Sequence, residues 1–308
     1  MGNSESGQFP QSAIRQLKSL LERCTVQVHS EDSYGSGFFV LPGLALTCAH
    51  VVSVRRNRRQ KVTIFWGGRA YDGRLKRLVP DPCPEEDIFP DLATIDVAVK
   101  NHPCALLGTG CESGIDVYGW GFGGMGAFGE SFSAKVEGLK RYGRSPERTL
   151  IKLKEGQISE GFSGAPVLNC QTGVVCGLIK RTRDLELDQG GFAIRTEVVL
   201  ARLKLARRQQ AYHRENLEWP YLVSQVKTES GMEQKYFVFL RAFKSALELT
   251  AASDYLPAEE VNAIARKLGF DSHQTLRIIE ELKRRDLIEL QWGGNVTLTT
   301  KGKSAAVS

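Results

Sequence analysis

The sequence predicts a mainly β fold followed by a smaller region of mixed α and β structure. Short apolar segments broken by Gly, Pro and Asp recur through the first two thirds of the chain, a pattern typical of a β-sandwich or a β-barrel. From residue 197 the apolar residues instead recur at helical spacing. With 308 residues and 42% hydrophobic content, the chain can bury one large core and a second, smaller one.

The β region is preceded by a polar leader and a short helix, in which Ile14, Leu17 and Leu21 keep the spacing of one helical face. A glycine-rich stretch at 119–124 lacks the βαβ surroundings of a dinucleotide-binding fingerprint, so we expect a loop there. The segments with β character are residues 26–29, 37–40, 44–47, 61–66, 96–99, 116–120 and 150–153.

The C-terminal part predicts three helices and a hairpin. Helical spacing covers residues 237–249, 257–268 and 272–285. Two short apolar strands, 287–290 and 296–299, flank a turn. Three helices followed by a hairpin resemble a winged helix, a fold whose third helix often enters the major groove of DNA.

Two polar residues stand in motifs typical of a serine-nucleophile hydrolase. Ser163 lies in Gly-Phe-Ser-Gly-Ala-Pro at 161–166, and His50 ends Thr-Cys-Ala-His at 47–50. A serine hydroxyl is a weak nucleophile until an imidazole accepts its proton, and a buried carboxylate fixes the imidazole tautomer and stabilises its cation. Taken alone, Ser163 could be a turn residue and His50 a core histidine, but their order and spacing favour catalysis.

Two aspartates are candidates for the carboxylate. Asp96 lies at the head of the apolar run 95–99, whereas Asp91 follows Pro90 in an acidic loop. A capping role is the structural alternative for either one. We therefore predict Asp96 as the partner of His50, with Asp91 as its rival.

These motifs make the chain similar to the chymotrypsin-like serine proteases, and within them to the HtrA-like and other trypsin-like peptidases. The resemblance rests on Gly-Ser-Gly-Phe-Phe at 35–39, on 46–52 and on 161–166, and it covers roughly residues 22–200. It implies two six-stranded β-barrels with the active site in the cleft between them. It also implies a protein substrate, an oxyanion hole formed by the N–H groups of Gly161 and Ser163, and no metal or cofactor.

The resemblance also places a specificity pocket. Its base falls six residues before the serine, at Gln157, and its walls include Ile179, Lys180, Arg181 and Phe192. An uncharged base disfavours Lys or Arg before the scissile bond, so we expect a preference for uncharged or small aliphatic side chains. Lys180 or Arg181 turned inward would instead favour an acidic one.

Phe162 points to a different mode of control from that of the secreted relatives, which carry an aspartate here to bind a freshly cut N-terminus. We therefore expect the C-terminal region to regulate activity by binding a protein or a nucleic acid. Residues 233–308 hold eleven basic and ten acidic residues, a weak balance for neutralising phosphates. The candidate contacts on its third helix are His273, Gln274, Arg277 and Arg284.

The expected organisation is a leader and helix at 1–21, a trypsin-like protease domain at 22–213, a linker at 214–232 and a winged-helix-like domain at 233–308. The sequence holds no apolar run of about 18 residues and no apolar signal core near its start, which predicts neither a membrane span nor secretion. Seven cysteines, an odd number, fit reduced thiols in a cytoplasmic protein.

A trypsin-like peptidase joined to a small helical module resembles prokaryotic signalling or antiviral defence effectors. The predicted function is an intracellular serine endopeptidase. The alternative is a catalytically inactive protease fold that serves as a scaffold for a DNA-binding or protein-binding regulator.

Overall fold

The computed structural model describes residues 12–31, 33–52, 61–81, 88–123, 128–182, 190–249, 254–291 and 295–306, and it leaves the side chains of residues 227–234 undescribed. The expected leader, the last residue of the glycine-rich stretch and the centre of the C-terminal turn lie outside these residues. The chain divides into two compact units, Met1–Lys227 and Thr228–Ser308.

The first unit opens with an amphipathic helix, α1 (Ser12–Cys24), that buries Leu17, Leu20 and Leu21 in the core of this unit. Six antiparallel strands then close into a barrel in the order β1-β2-β3-β6-β5-β4. Between β3 and β4 lies a single helical turn, α2 (Ala49–Val52). The strands are β1 (Thr25–His29), β2 (Tyr34–Leu41), β3 (Leu44–Thr47), β4 (Val62–Trp66), β5 (Arg69–Val79) and β6 (Leu92–Val97).

A second antiparallel barrel follows in the same unit, in the order β10-β11-β12-β9-β8-β7. A 3-10 turn at Pro146–Arg148 precedes β9. The prediction of two six-stranded barrels is therefore confirmed. The strands are β7 (Asp116–Gly121), β8 (Glu130–Arg141), β9 (Thr149–Lys154), β10 (Pro166–Asn169), β11 (Val175–Thr182) and β12 (Gly191–Arg195).

Two strand predictions need correction. The strand expected at 96–99 is β6, which runs earlier, from Leu92 to Val97. The start of the glycine-rich stretch continues β7 through Gly121 instead of forming a loop. Glycine is needed there for space, because a Cβ at Gly119 would lie 2.1 Å from the ring of Phe132 on β8.

Helices close the first unit. α3 (Thr196–Leu203) and α4 (Ala206–Glu215) lead into the long helix α5 (Glu218–Leu249). Trp219 is buried, and its indole N–H donates to the carbonyl of Gly173 at 2.8 Å. The segment expected as a linker, residues 214–232, is thus mostly helical, and its first part packs into the core of the first unit.

The second unit has its own core, which includes Phe239, Phe243, Leu256, Ile278 and Leu282. A three-stranded sheet runs in the order β13-β15-β14. In the described part of the chain, no helix is long and apolar enough to cross a bilayer. After α5 the elements are β13 (Tyr255–Leu256), α6 (Ala258–Lys267), α7 (Ser272–Arg284), β14 (Ile288–Leu290), β15 (Val296–Leu298) and α8 (Thr300–Ala305).

Candidate active site

His50 lies on α2, the short helical turn that follows β3, and it contacts Asp91 twice. Its backbone N–H donates to Asp91 Oδ1 at 3.0 Å, and its Nδ1 lies 2.8 Å from Asp91 Oδ2. An ionised carboxylate only accepts hydrogen bonds, so Nδ1 carries the proton in this pair. The other ring nitrogen, Nε2, is left to accept a proton from a nucleophile.

Asp91 immediately precedes β6 and is fully buried. Its φ of 62° lies in the left-handed region, which non-glycine residues adopt only where the surrounding structure holds them. Burial alone would raise the pKa of this carboxyl, but the hydrogen bond and charge of His50 and the ammonium of Lys180 outweigh it and hold the pKa below its usual value. Asp91 is therefore a buried anion.

Lys180 on β11 supplies a cation at this carboxylate. Its Nζ lies 2.6 Å from Asp91 Oδ2 and donates to the carbonyl of Ile88 at 2.7 Å. The same ammonium lies 4.9 Å from the centre of the Phe89 ring, within the range of a cation–π contact. The side chain is only 11% exposed, so solvent screens its charge weakly.

The structure places Asp91, and not the predicted Asp96, beside His50. Asp96 lies near the far end of β6, where it forms ion pairs with Lys76 at 2.9 Å and Arg74 at 3.7 Å. The prediction failed because Pro90 suggested a loop, whereas the strand begins right after Asp91 and carries Asp96 away from the histidine. The apolar residues Leu92 and Ala93 directly after Asp91 were the signal that could have identified it.

Ser163 lies in a tight loop before β10. Its carbonyl accepts from the N–H of Ser36 at 2.8 Å, and the next residue, Gly164, donates to Ile179 at 2.7 Å. Gly161 and Gly164 have φ values of 93° and 91°, which favour glycine. A Cβ at Gly164 would also lie 2.1 Å from the carbonyl oxygen of Ser36, so this loop requires glycine for space as well.

Ser36 on β2 joins the first barrel to the loop that carries Ser163, a role that the sequence reasoning missed. Its hydroxyl donates to the carbonyl of Gly161 at 2.8 Å and accepts from the N–H of Phe122 at 2.9 Å. Thr47 in turn donates to the Ser36 carbonyl at 2.6 Å. The signal was present in the Gly-Ser-Gly motif, because flanking glycines allow two backbones to approach closely.

The hydroxyl of Ser163 donates to the main-chain carbonyl of Lys180 at 3.1 Å. Within the described residues it forms no hydrogen bond to His50. The N–H groups of Gly161 and Ser163 likewise donate to no acceptor in the described chain. Two free donors beside a serine suit an oxyanion hole.

The expected pocket residues have different environments. Ile179 is fully buried in the core of the second barrel, and Lys180 is turned to Asp91 instead of toward a substrate. Arg181 is exposed; its guanidinium donates to the hydroxyl of Tyr142 at 2.8 Å and lies 5.6 Å from the ring of Phe192. Gln157 is exposed.

The candidate contact residues on α7 differ in whether they are exposed or already bonded within the helix. The backbone N–H of Gln274 donates to the side chain of Asp271 at 2.7 Å in a capping box, and Arg284 forms a two-point ion pair with Glu281. The hydrogen bond from Arg284 is the largest of the causes that lower the pKa of Glu281 to about 2. His273 and Arg277 are exposed.

Cys48, His50 and Asp91 place their potential metal-ligand atoms within 4.8 Å of one another. The Cys48 thiol, however, donates to the carbonyl of Ile179 at 3.2 Å, and burial raises its pKa well above the ordinary value. A cysteine binds metals as the thiolate, and the ammonium of Lys180 already neutralises the carboxylate. These residues therefore do not fit a metal site.

Comparison with known proteins agrees with this geometry. Residues 35–178, just under half of the chain, match the family described as trypsin-like peptidase domain. The chain matches none of the curated proteins with which it was compared.

Solved protease structures share the architecture. The Rv3671c protease in its inactive form is 20% identical, with a TM-score of 0.51 over 66% of this chain and 97% of that one. Its active form, from M. tuberculosis, is 21% identical, with a TM-score of 0.50 over 64% and 87%. Deg5 is 20% identical, with a TM-score of 0.51 over 64% and 95%. The chain thus carries the chymotrypsin-like double barrel that trypsin-like proteases share.

Proposed function

We propose that this chain is a serine endopeptidase with Ser163 as nucleophile, His50 as general base and Asp91 as the carboxylate that orients His50. The observation that carries the proposal is the contact between the Nδ1 of His50 and a fully buried carboxylate, 2.8 Å apart. This contact fixes the tautomer that leaves Nε2 as a base, in a protease fold with a serine in the matching glycine-rich loop.

The proposed reaction follows from these positions. After rotation of its hydroxyl, Ser163 attacks the carbonyl carbon of a peptide bond while Nε2 of His50 takes the proton. The oxyanion receives hydrogen bonds from the N–H groups of Gly161 and Ser163, and the imidazolium then protonates the leaving amine. Water, activated by the same imidazole, releases the acyl group from the serine.

The first test is covalent labelling of the full chain with a fluorophosphonate, combined with peptide hydrolysis. Ser163→Ala should lose all labelling because the attacked oxygen is gone, and His50→Ala should lose it because no base remains. Ser113→Ala, an exposed serine that precedes β7, serves as the matched control and should label like the wild type. Labelling that persists in Ser163→Ala would contradict the assignment of the nucleophile.

A second candidate is a catalytically inactive scaffold, which the hydrogen bond from Ser163 to the Lys180 carbonyl favours. In that case the serine is held away from the base permanently. The labelling experiment separates the two functions, because a scaffold labels in none of the variants, with or without cell extract.

The second unit is proposed to regulate the protease as a winged-helix module in an intracellular prokaryotic signalling or defence setting. Its order of helix, strand, two helices and two further strands supports this proposal. His273 and Arg277 would contact an activating protein or nucleic acid, whereas Arg284 is held by Glu281.

A chain that ends after Lys227 tests this regulation. The cut follows the boundary between the units and keeps Trp219 and Val226, which pack into the first core. We expect the shortened chain to differ from the full chain in basal labelling rate or in its response to cell extract. Identical rates in both conditions would contradict a regulatory second unit. Titration with salt then distinguishes a nucleic-acid partner, whose binding weakens steeply, from a protein partner.

A further inference from the structure

We propose that Lys180 is a positioning residue of the active site that extends the activity of His50 to lower pH. The inference rests on the proposed function of the triad and adds a fourth, charged member to it. Lys180 touches both ends of the arrangement: its ammonium binds Asp91, and its main-chain carbonyl accepts from the hydroxyl of Ser163.

The surroundings of Lys180 show that the ammonium belongs to this site. Among the described residues, its Nζ contacts Asp91 Oδ2, the carbonyl of Ile88 and the ring of Phe89. A buried lysine loses hydration and side-chain freedom, so its charge persists only where such partners compensate. The carboxylate that compensates the charge of Lys180 is Asp91, which also binds His50.

Nitrogen atoms of His50 and Lys180 share one oxygen of Asp91. His50 Nδ1 and Lys180 Nζ lie 2.8 Å and 2.6 Å from Asp91 Oδ2, so a protonated His50 has a permanent positive charge a few ångströms away. The remaining titratable group at this cluster, within the described chain, is the Cys48 thiol, whose raised pKa keeps it neutral. Lys180 is therefore the group that opposes the charged form of His50, while Asp91 favours it.

This balance has a consequence for catalysis. A neighbouring cation disfavours the imidazolium, so His50 stays neutral, and able to act as a base, at lower pH than it would beside Asp91 alone. The same repulsion acts on the imidazolium that forms in the transition state, which costs rate at high pH. Lys180 thus lowers the rate of hydrolysis at high pH and preserves activity at low pH.

The experiment compares kcat/KM at about pH 8 and pH 5.5 in the full chain. Lys180→Met removes the charge and keeps most of the length, and we expect the ratio of the two values to rise several-fold, with ~10-fold as the upper limit for a shift of about one pH unit in the acid limb. Lys180→Gln should do the same, which covers the case in which the methionine variant does not fold. Lys180→Arg keeps the charge and should keep the ratio near that of the wild type.

Lys76→Met is the matched control, because Lys76 forms an ion pair of 2.9 Å with the partly exposed Asp96 near the end of β6, the strand that Asp91 precedes. It should leave the ratio unchanged. A merely structural role for Lys180 would lower kcat/KM equally at both pH values. An unchanged ratio in folded Lys180→Met and Lys180→Gln would overturn the proposal.

A readout without catalysis separates this proposal from the proposed function. The low-field NMR signal of the His50 Nδ1 proton, identified by its loss in His50→Gln, changes with the charge of the ring. In Lys180→Met the pH midpoint of that change should lie about one unit higher than in the wild type. If the wild type hydrolyses nothing, the proposed function fails, and this midpoint still decides whether Lys180 controls His50.

Discussion

The two ends of strand β6 carry the same chemical pair in opposite surroundings. Asp91 precedes the strand and binds Lys180 at 2.6 Å, while Asp96 near its end binds Lys76 at 2.9 Å. The side chain of Asp91 is fully buried and also holds His50, whereas that of Asp96 is 30% exposed. The two aspartate–lysine pairs therefore differ in burial and in a third group, His50, which only Asp91 of the two aspartates binds.

Burial changes how much each ion pair contributes to the stability of the fold. Exposed ion pairs contribute about 0–1 kcal/mol because water and salt screen them. A buried pair is costly to assemble and costly to break, since removing one partner leaves the other charge unsolvated. Asp91 also binds His50 and holds its imidazole in one tautomer. Asp96 makes no such contact with the residues that the structure describes, so only the buried aspartate of the two orients a histidine.

The largest expected effect is on activity. Asp91→Asn should lower kcat about 10⁴-fold, because an amide cannot fix the productive tautomer of His50. Asp96→Asn should leave kcat within about twofold of the wild type, because its partners are exposed and far from the reaction. Steady-state hydrolysis of one peptide by the two variants makes the measurement.

The opposite result would contradict the assignment of Asp91 as the carboxylate that orients His50. If Asp96→Asn loses the greater part of the rate and Asp91→Asn does not, the carboxylate first predicted from the sequence acts after all. Circular dichroism of both variants serves as the control that each is folded.

The histidine and the serine could be found in the sequence because each lies in a local motif. Glycines around Ser163 indicate a loop with positive φ, and the segment before His50 indicates a strand that ends just before this histidine. The two barrels followed from repeated short strands and from the resemblance. These features are local, and so a linear pattern can reveal them.

The carboxylate and Lys180 depended on long-range contacts that no local pattern encodes. Asp91 and Asp96 both border apolar residues, and only the register of β6 against its neighbours decides which one meets His50. Lys180 lies 89 positions from Asp91 in the chain, and it was predicted to line a substrate pocket. A lysine within an apolar strand was the available signal, since burial of such a residue requires a charged partner.

The next effect is on stability. Asp91→Ala should lower the free energy of unfolding by about 3–5 kcal/mol, because Lys180 remains buried without its partner. Asp96→Ala should lower it by no more than about 1 kcal/mol. Urea unfolding of both variants at neutral pH measures the difference, and equal losses would contradict the contrast between the two ends of β6.

The stability contribution of Asp91 also depends on pH. Its folded-state pKa lies below the unfolded value of about 3.9, so its stabilising effect is present above that pH and is lost as pH falls through the lowered folded pKa. The difference in unfolding free energy between the wild type and Asp91→Asn should therefore be constant above about pH 5 and shrink below about pH 4. A difference that persists undiminished in acid would contradict a buried anion at this site.

The smallest expected effect concerns the cations on β11, where the same contrast recurs between neighbouring residues. Lys180 is buried against Asp91, whereas Arg181 is exposed and lies over the rings of Tyr142 and Phe192. Because Lys180 already has a partner, we expect Arg181 to be the charge on β11 that acts on a bound peptide. We expect peptides with Lys or Arg before the scissile bond to be cleaved more slowly than matched peptides with an uncharged residue there.

Arg181→Ala should reduce this discrimination by less than about tenfold, since an exposed charge acts through water. About 1 M salt should reduce it similarly in the wild type, because the Debye length falls to about 3 Å. The measurement is kcat/KM for a pair of peptides that differ only at that position, in both proteins and at two salt concentrations. If discrimination against the basic peptide is unaffected by both the substitution and the salt, the uncharged Gln157 and the shape of the pocket set the preference, and the exposed cation does not.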